Sequence, residues 1–325
     1  MTAIRTEAKP ECFLCGATGE LLFSDLGDRL YAVPGVWSLR RCSAPDCGWV
    51  WLDPVPVAED MQLLYRNYFT HGPEPASASR RMFEGLYRAL NLLPSQLLGL
   101  ARARSRIETM YLGDLAPGKL LDVGCGDGQF LLRMRRRGWA TQGIDFDSQA
   151  VERAKAVHDL DVSVGLLEEV TFLDDSFDAV TASHVVEHVL DPIEFLRECF
   201  RLVRPGGRVV VVTPNLDSLG FRRHQAAWMG LDPPRHLNLF DLKNLERCAR
   251  RAGASSARVF STAANAETLF AVSLGIEAKG SHSVGRPTSL ELLRPLTAVA
   301  WQYREHLGLS SKPDQGEEAL LIMQK

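Results

Sequence analysis

The stretch Leu120 to Gly128 sets out a ligand site: an apolar run closes on Asp122, and Gly124, Gly126 and Gly128 follow at alternate positions. Glycine lacks a Cβ, so a loop built this way lets a ligand approach the backbone. The first N–H groups and dipole of a following helix face the same space. The next apolar run, Ala140 to Ile144, ends at Asp145, about the distance onward at which an acid accepts both hydroxyls of a ribose. The spacing is GxGxG, not the GxGxxG of dinucleotide sites, and loop and acid together describe an adenosine site.

A second set of residues suits a metal. Cys12-x-x-Cys15 and Cys42-x4-Cys47 offer two close pairs of thiolates, with Gly16 and Gly48 just after each pair to allow tight turns. Four sulfurs at this spacing suit tetrahedral structural zinc; free or redox-active thiols are the alternative, and disulfides are disfavoured in a chain without a secretion signal. Cys125, Cys199 and Cys248 are scattered, and Cys125 fits inside the glycine loop because it is small. A third set is His184, Glu187 and His188, at i, i+3 and i+4, so that one helical turn would put all three on one face. With His236 they are candidates for a second divalent-metal site, whose nitrogen-rich donors would favour zinc, nickel or iron over magnesium; a metal-free arrangement with His236 as a lone base is the alternative.

The elements that position these residues are legible from periodicity. From Lys119 onward, strands at 119–123, 140–144, 162–164, 177–182 and 208–213 alternate with helices at 129–137, 148–158 and 191–203. Strands separated by helices require a parallel, doubly wound α/β sheet, with ligands outside the carboxyl ends of its strands. A helix at 241–251 and strands at 257–261 and 319–323 follow. Thr262 to Gln315 carries two helical patterns, Ala264 to Lys279 and Ser289 to Leu307. Before the sheet, Ala58 to Phe69 has helical spacing through Met61, Leu64, Tyr65 and Tyr68. Residues 81–112 read as helices broken near Pro94, with a leucine-rich stripe and Arg102, Arg104 and Arg106.

Composition bounds the rest. The chain has 325 residues, is 46% hydrophobic and carries a net charge of -3, which gives no footprint for nucleic acid. The N-terminus lacks an apolar signal core and no run nears the roughly 18 apolar residues of a membrane span, so a cytoplasmic protein is expected. The basic, leucine-rich helix leaves peripheral membrane contact open, and oligomeric state is not legible.

In order along the chain, Asp122-Val-Gly-Cys-Gly-Asp-Gly128, Gly143-Ile-Asp145, Phe177-Asp-Ala-Val180 and Arg204-Pro-Gly-Gly207 resemble the motifs of class I S-adenosylmethionine-dependent methyltransferases. With the cysteines, the chain resembles a zinc-ribbon-bearing branch that includes sugar and polysaccharide enzymes, and also the ubiquinone-type small-molecule O-methyltransferases. The resemblance implies a seven-stranded Rossmann-like sheet with the last strand antiparallel. Residues 1–57 would be the zinc ribbon, 58–112 a helical linker or lid, and 113–325 the catalytic domain, with a helical insertion at about 262–315 forming a substrate wall or a dimer contact. It also implies that Asp122, Gly124, Cys125, Gly126, Asp145, Phe146, Ser183 and His184 surround S-adenosylmethionine, with Tyr65 and Tyr68 reaching in from the lid.

Catalysis would then need an aligned acceptor and a proton acceptor. His236, in the Pro-rich segment Asp232 to Phe240 read as a loop outside the core, is the first choice of base. His188 is the second, although in many relatives the Glu187-His188 pair only holds its loop. The expected activity is O-methylation of a small-molecule or glycan-like acceptor. Carbon methylation of a nucleotide sugar is the alternative; a catalytically inactive cofactor-binding interaction module is a rival of another class, and a nicotinamide dehydrogenase, disfavoured by the missing GxGxxG, is the third reading.

Overall fold

The computed structural model describes residues 4–65, 93–281 and 294–325. The chain begins with short antiparallel strands: β1 (Thr6–Glu7) pairs with β5 (Val55–Pro56), while β2 (Gly19–Leu26), β3 (Trp37–Cys42) and β4 (Val50–Asp53) form a meander. The sheet of that meander gains a fourth strand from far along the chain. β11 (Asn238–Leu239) pairs antiparallel with β4, placing Asn238 opposite Trp51 and Leu239 opposite Val50.

The main sheet contains β6 (Lys119–Val123), β7 (Ala140–Asp145), β8 (Asp161–Val164), β9 (Phe177–Ser183), β10 (Val203–Pro214), β12 (Ser256–Thr262) and β13 (Glu318–Gln324). Their order is β12-β13-β10-β9-β6-β7-β8, with β13 antiparallel to both neighbours and β6 to β10 parallel. This is the expected seven-stranded, doubly wound sheet with its last strand reversed. The order turns back between β6 and β9, which is where such sheets bind ligands. Leu120, Leu121, Val180, Val210 and Val211 are fully buried because helices cover both faces. The helices start where side chains satisfy their first N–H groups: Asp147 accepts from Gln149 and Ala150, Asp191 from Ile193 and Glu194, and Asp241 from Asn244.

Other expectations need adjustment. Helical residues 93–97 are separated from the helix Leu100–Ile107 by a turn at Gly99, where φ is +81°; the chain before residue 93, on which the expected break near Pro94 depends, lies outside the described residues. The helix over Ala58 to Phe69 is a 3-10 helix, Ala58–Tyr65. Tyr68 and the stripe positions Met82, Leu86 and Leu90 lie outside the described residues. Arg104 turns inward to Glu267 and Gln302, whereas Arg102 and Arg106 are exposed. Among the described residues no helix is long and apolar enough to cross a membrane.

The inserted helices, Ala266–Lys279 and Arg294–Gly308, leave the carboxyl edge of β12 and pack on each other, with Phe270 stacked on Trp301. The helix Leu219–His224 lies against the first of them. This packing buries a group of acids. Gly220 has no Cβ, which lets the Glu317 carboxylate sit against it; an added Cβ would lie 1.7 Å from Glu317 Oε1. Glu317 Oε2 accepts the Trp228 indole N–H at 2.8 Å, and Glu305 is 3% exposed with no hydrogen-bond partner on either oxygen among the described residues. Burial raises both above the ordinary carboxylate range; Glu317 and Glu318 add to the rise of Glu305, and Glu318 to that of Glu317.

The folded state therefore holds protons that the unfolded chain releases above about pH 4.3. That contribution to stability is complete at low pH and is lost as pH rises through the raised values. Thermal melts should show a midpoint that falls as pH rises from mildly acidic to alkaline, with a shallower fall in Glu305→Gln. A wild-type midpoint that climbs over that range would contradict it.

Candidate functional site

At the carboxyl edge of β6 the backbone enters the glycine loop, and Gly124, Gly126 and Gly128 take φ values of +72°, +54° and +79°. Side chains there would be strained. Nothing lies within 4 Å of where a Gly126 Cβ would sit, so the loop is open on that side, whereas Gly124 is packed under Val185 and Gly128 under Leu160. The Gly126 N–H donates to Asp145 Oδ2 at 2.8 Å, and the Asp147 N–H donates to Asp145 Oδ1 at 2.9 Å. Both oxygens of Asp145 are thereby oriented, each with capacity for one more donor. Burial raises the pKa of Asp145, and these two N–H groups oppose the rise.

Asp122 stands behind the loop, buried, and accepts the Thr181 hydroxyl at 2.6 Å; burial pushes its pKa up to about 7. The Cys125 thiol is buried among Leu131, Val151, Ala154, Leu160 and Val162, so only the backbone of Cys125 is available to a ligand. Phe146 is half-buried beside Tyr65, with ring centroids 4.6 Å apart. The Tyr65 hydroxyl in turn lies 3.1 Å from His188 Nδ1. Tyr65 thus links the adenosine side of the cleft to the histidines.

Ser183 is exposed at the end of β9, and His184 follows it with φ +56°. Residues 184–188 form a turn, not a helix, and the expected four-residue cluster loses one member. The twist at His184 sends its imidazole between two acids, 3.3 Å from Glu187 Oε1 and 3.1 Å from Glu318 Oε1. Burial works against its charge, and the two carboxylates outweigh it, raising His184 to about 10. Glu187, His188 and His236 remain together, with a ligand-capable atom of each within 4.8 Å of the others.

The loop carrying His236 is the largest departure from the sequence reading. It was expected outside the core, yet residues 230–240 are buried throughout. The reason is that the ribbon covers it. Arg235 is 0% exposed and makes a two-pronged bond to Asp28 of the ribbon, at 2.7 and 2.9 Å, while also pairing with Asp232; its guanidinium lies 4.6 Å from the Tyr31 ring centroid. Asp28 also accepts from the N–H groups of Leu30, Tyr31 and Val33. Burial alone would raise the Asp28 pKa, and Arg235 and these N–H groups reverse that. Nothing in the sequence announces this contact, since Asp28 and Arg235 are 207 positions apart.

The ribbon cysteines converge as well. Cys12 Sγ lies 3.6 Å from Cys47 Sγ, and Cys15 Sγ lies 3.4 Å from Cys42 Sγ, with all four sulfurs within 4.8 Å. These separations exceed the about 2.05 Å of a disulfide and fit four thiolates around one tetrahedral ion. The knuckles rest on the helix Leu242–Arg251, where Arg251 donates to the Leu14 carbonyl and Arg247 to those of Asp46 and Cys47.

Fold and site thus combine a glycine-loop cleft on a seven-stranded sheet with a cysteine ribbon fastened over the loop that carries His236. A family model described as a methyltransferase domain matches residues 98–256, and these residues are a class I S-adenosylmethionine-dependent methyltransferase domain. The ubiquinone biosynthesis O-methyltransferase of Alkalilimnicola ehrlichii is 40% identical over 111 residues, 32% of this chain and 44% of that protein. The malonyl-[acyl-carrier protein] O-methyltransferase of Erwinia billingiae is 35% identical over 147 residues, 45% of this chain and 58% of that protein. The chain thus spans about half the length of the curated relatives it matches. Among solved structures, Haemonchus contortus phosphoethanolamine N-methyltransferase 2 in complex with S-adenosyl-L-methionine has a TM-score of 0.47 and 16% identity, covering 94% of this chain and 71% of that one. A methyltransferase from Archaeoglobus fulgidus has a TM-score of 0.46 and 20% identity, covering 73% and 99%.

Removing the Arg235 side chain would leave Asp28 and Asp232 buried without their cation. Arg235→Ala should cost about 3–5 kcal/mol in denaturant unfolding. A loss below about 1 kcal/mol, the range of exposed pairs, would show that the network is solvated.

Proposed function

We propose that this chain transfers the methyl group of S-adenosylmethionine to an oxygen of a small-molecule or glycan-like acceptor, and that its ribbon holds one structural zinc. The observation that carries the reading is the glycine loop, open at Gly126 and hydrogen-bonded to Asp145 at the switch point of the sheet. The names of the curated relatives, both O-methyltransferases, favour oxygen over carbon.

The cofactor brings a methyl group already activated by its sulfonium. Gly124 and Gly126 would admit the methionine portion, Asp145 would accept from the ribose hydroxyls, and Phe146 with Tyr65 would flank the base. Asp122 and the backbone of Cys125 keep the loop in shape, and Ser183 and His184 border the cleft on the β9 side.

His188 and His236 would handle the acceptor. His188 Nδ1 lies 3.0 Å from the Arg235 carbonyl, and His236 Nδ1 lies 2.7 Å from the Gly230 carbonyl. A carbonyl only accepts, so both Nδ1 atoms carry a proton, and in the neutral ring it is Nε2 that presents the lone pair. His236 Nε2 is the first choice to take the acceptor's proton, and general-base help of this kind contributes about 10² to 10⁴ in rate. The inserted helices would close the acceptor side as a wall.

Calorimetry should detect binding of both the methyl donor and its demethylated product, each weakened by about 1.5–3 kcal/mol in Asp145→Ala through lost charge-assisted hydrogen bonds. Tight NADH binding with no response to the methyl donor would sink the reading.

The ribbon is tested separately. Metal analysis should return about one thiolate-bound zinc per chain, lost with ribbon stability in Cys12→Ser, because a four-thiolate site has no open position and its binding energy is folding energy. Four reactive thiols and no zinc in freshly purified protein would refute it.

A further inference from the structure

We infer that Glu187, His188 and His236 form a divalent transition-metal site, distinct from the four cysteines, that binds an acceptor through two neighbouring hydroxyl oxygens. The consequence for catalysis rests on the methyl-transfer reading; the existence of the site does not.

Three observations converge. One ligand-capable atom from each residue lies within 4.8 Å of the others, and a bound ion would draw them to about 3–3.5 Å at ordinary metal–nitrogen and metal–oxygen lengths. Each histidine has its Nδ1–H engaged by a backbone carbonyl, the outer support that metal-binding histidines commonly have, which leaves Nε2 as the ligand atom; the nearest carboxylate to His236 Nε2, Asp232 Oδ2 at 3.9 Å, is held by Arg235. Glu187 is 1% exposed, and its Oε2 has no polar partner among the described residues. His184 approaches Oε1 at 3.3 Å, and the buried carboxylate beside the two imidazoles is otherwise without a hydrogen-bond partner among the described residues. Such a carboxylate needs a donor or a cation.

The scaffold around the three residues is stitched closed. The Glu187 carbonyl accepts the N–H groups of both Leu237 and Asn238, and the Asn238 side chain donates to the Val189 carbonyl at 2.8 Å. The turn after β9 and the loop before β11 are thereby held as one unit. With Arg235 anchoring that loop to the ribbon, the donor atoms are fixed by parts of the chain on three sides. Two imidazoles and one carboxylate suit zinc, cobalt, nickel or iron better than magnesium or calcium.

Three protein donors leave coordination positions open. A vicinal pair of hydroxyls, as in a sugar diol or a catechol, could fill two of them. With its Nε2 lone pair on the ion, His236 no longer serves as the base, and coordination would instead ease loss of the proton from the reacting hydroxyl to solvent. That oxygen then bonds to the methyl carbon as the carbon–sulfur bond breaks, and its electron pair returns to sulfur to give the neutral thioether. Tyr65, in contact with both Phe146 and His188, places this chemistry beside the adenosine side of the cleft.

The test uses cobalt chloride as the probe on the full chain with its cysteine-bound zinc in place. Wild type should take up about one cobalt ion per chain, with visible ligand-field bands and no sulfur-to-cobalt charge transfer. Glu187→Gln and His236→Gln should each weaken uptake by about 10- to 100-fold while retaining zinc. In wild type itself, two strongly shifted imidazole N–H proton resonances would report two histidine ligands, so the test does not depend on the folding of a variant. Catechol and methyl mannoside, added separately, should shift the bands in at least one case, and which one does so identifies the source of the diol.

Cobalt uptake confined to the thiolate site, or none at all, overturns the metal site; bands that neither diol moves overturn the acceptor assignment. Methyl-donor binding without a second ion would leave the methyl-transfer reading standing with His236 as base. A second ion without donor binding would do the reverse.

Discussion

One buried cation fastens the ribbon to the loop that carries His236. Arg235 is fully enclosed, and a guanidinium can be enclosed only where carboxylates meet it with good geometry. Asp28 supplies a parallel pair of bonds from the ribbon, and Asp232 closes the arrangement from within the same loop. Everything next to it inherits that rigidity: His236 is the following residue, and the Arg235 carbonyl fixes His188. The short pairing of β11 with β4 carries the loop into the ribbon sheet. The ribbon is thus a structural wall of the cleft, not a module tethered beside it.

The electrostatics around the cleft follow from burial. His184 sits between Glu187 and Glu318 and is held charged, while His188, with burial and the neighbouring His236 acting against its charge, is pushed down to about 4. Two histidines four positions apart therefore take opposite charge states. His184 balances acids at the start of β13, and His188 keeps a neutral ring with a lone pair. Glu318 is further steadied by the Asn265 amide, from the start of the inserted helices, so the insertion reaches the cleft through a hydrogen bond.

Most of the sheet was legible because its strands are buried on both faces and read as continuous apolar runs between capped helices. Leu120 to Val123 and Val209 to Val212 have no other plausible use. The glycine loop was legible because positive φ at three alternate positions leaves few residue choices. What the sequence hid was long-range pairing. Nothing local marks Asp28 as the partner of Arg235, or Trp51 as opposite Asn238, and without those contacts Asp232 to Phe240 reads as an exposed proline-rich loop. His184 misled for a different reason: helical spacing groups it with Glu187 and His188, and a single left-handed φ sends it elsewhere. The four cysteines needed no such context, since two close pairs of one residue type leave little ambiguity.

The strand exchange between ribbon and loop also bears on how the chain is made. A polypeptide emerges from its N-terminus onward, and domains commonly fold as they appear. Here β2, β3 and β4 emerge early, yet the outer edge of β4 stays unpaired until Asn238 and Leu239 arrive, and Asp28 waits equally long for Arg235. For most of synthesis the nascent ribbon presents an open edge and a carboxylate awaiting its cation, and an ion gathered by the first four cysteines would be what keeps that early fragment in shape. On the zinc reading, the order of translation would thus give the cysteine cluster a guarding role before the cleft exists.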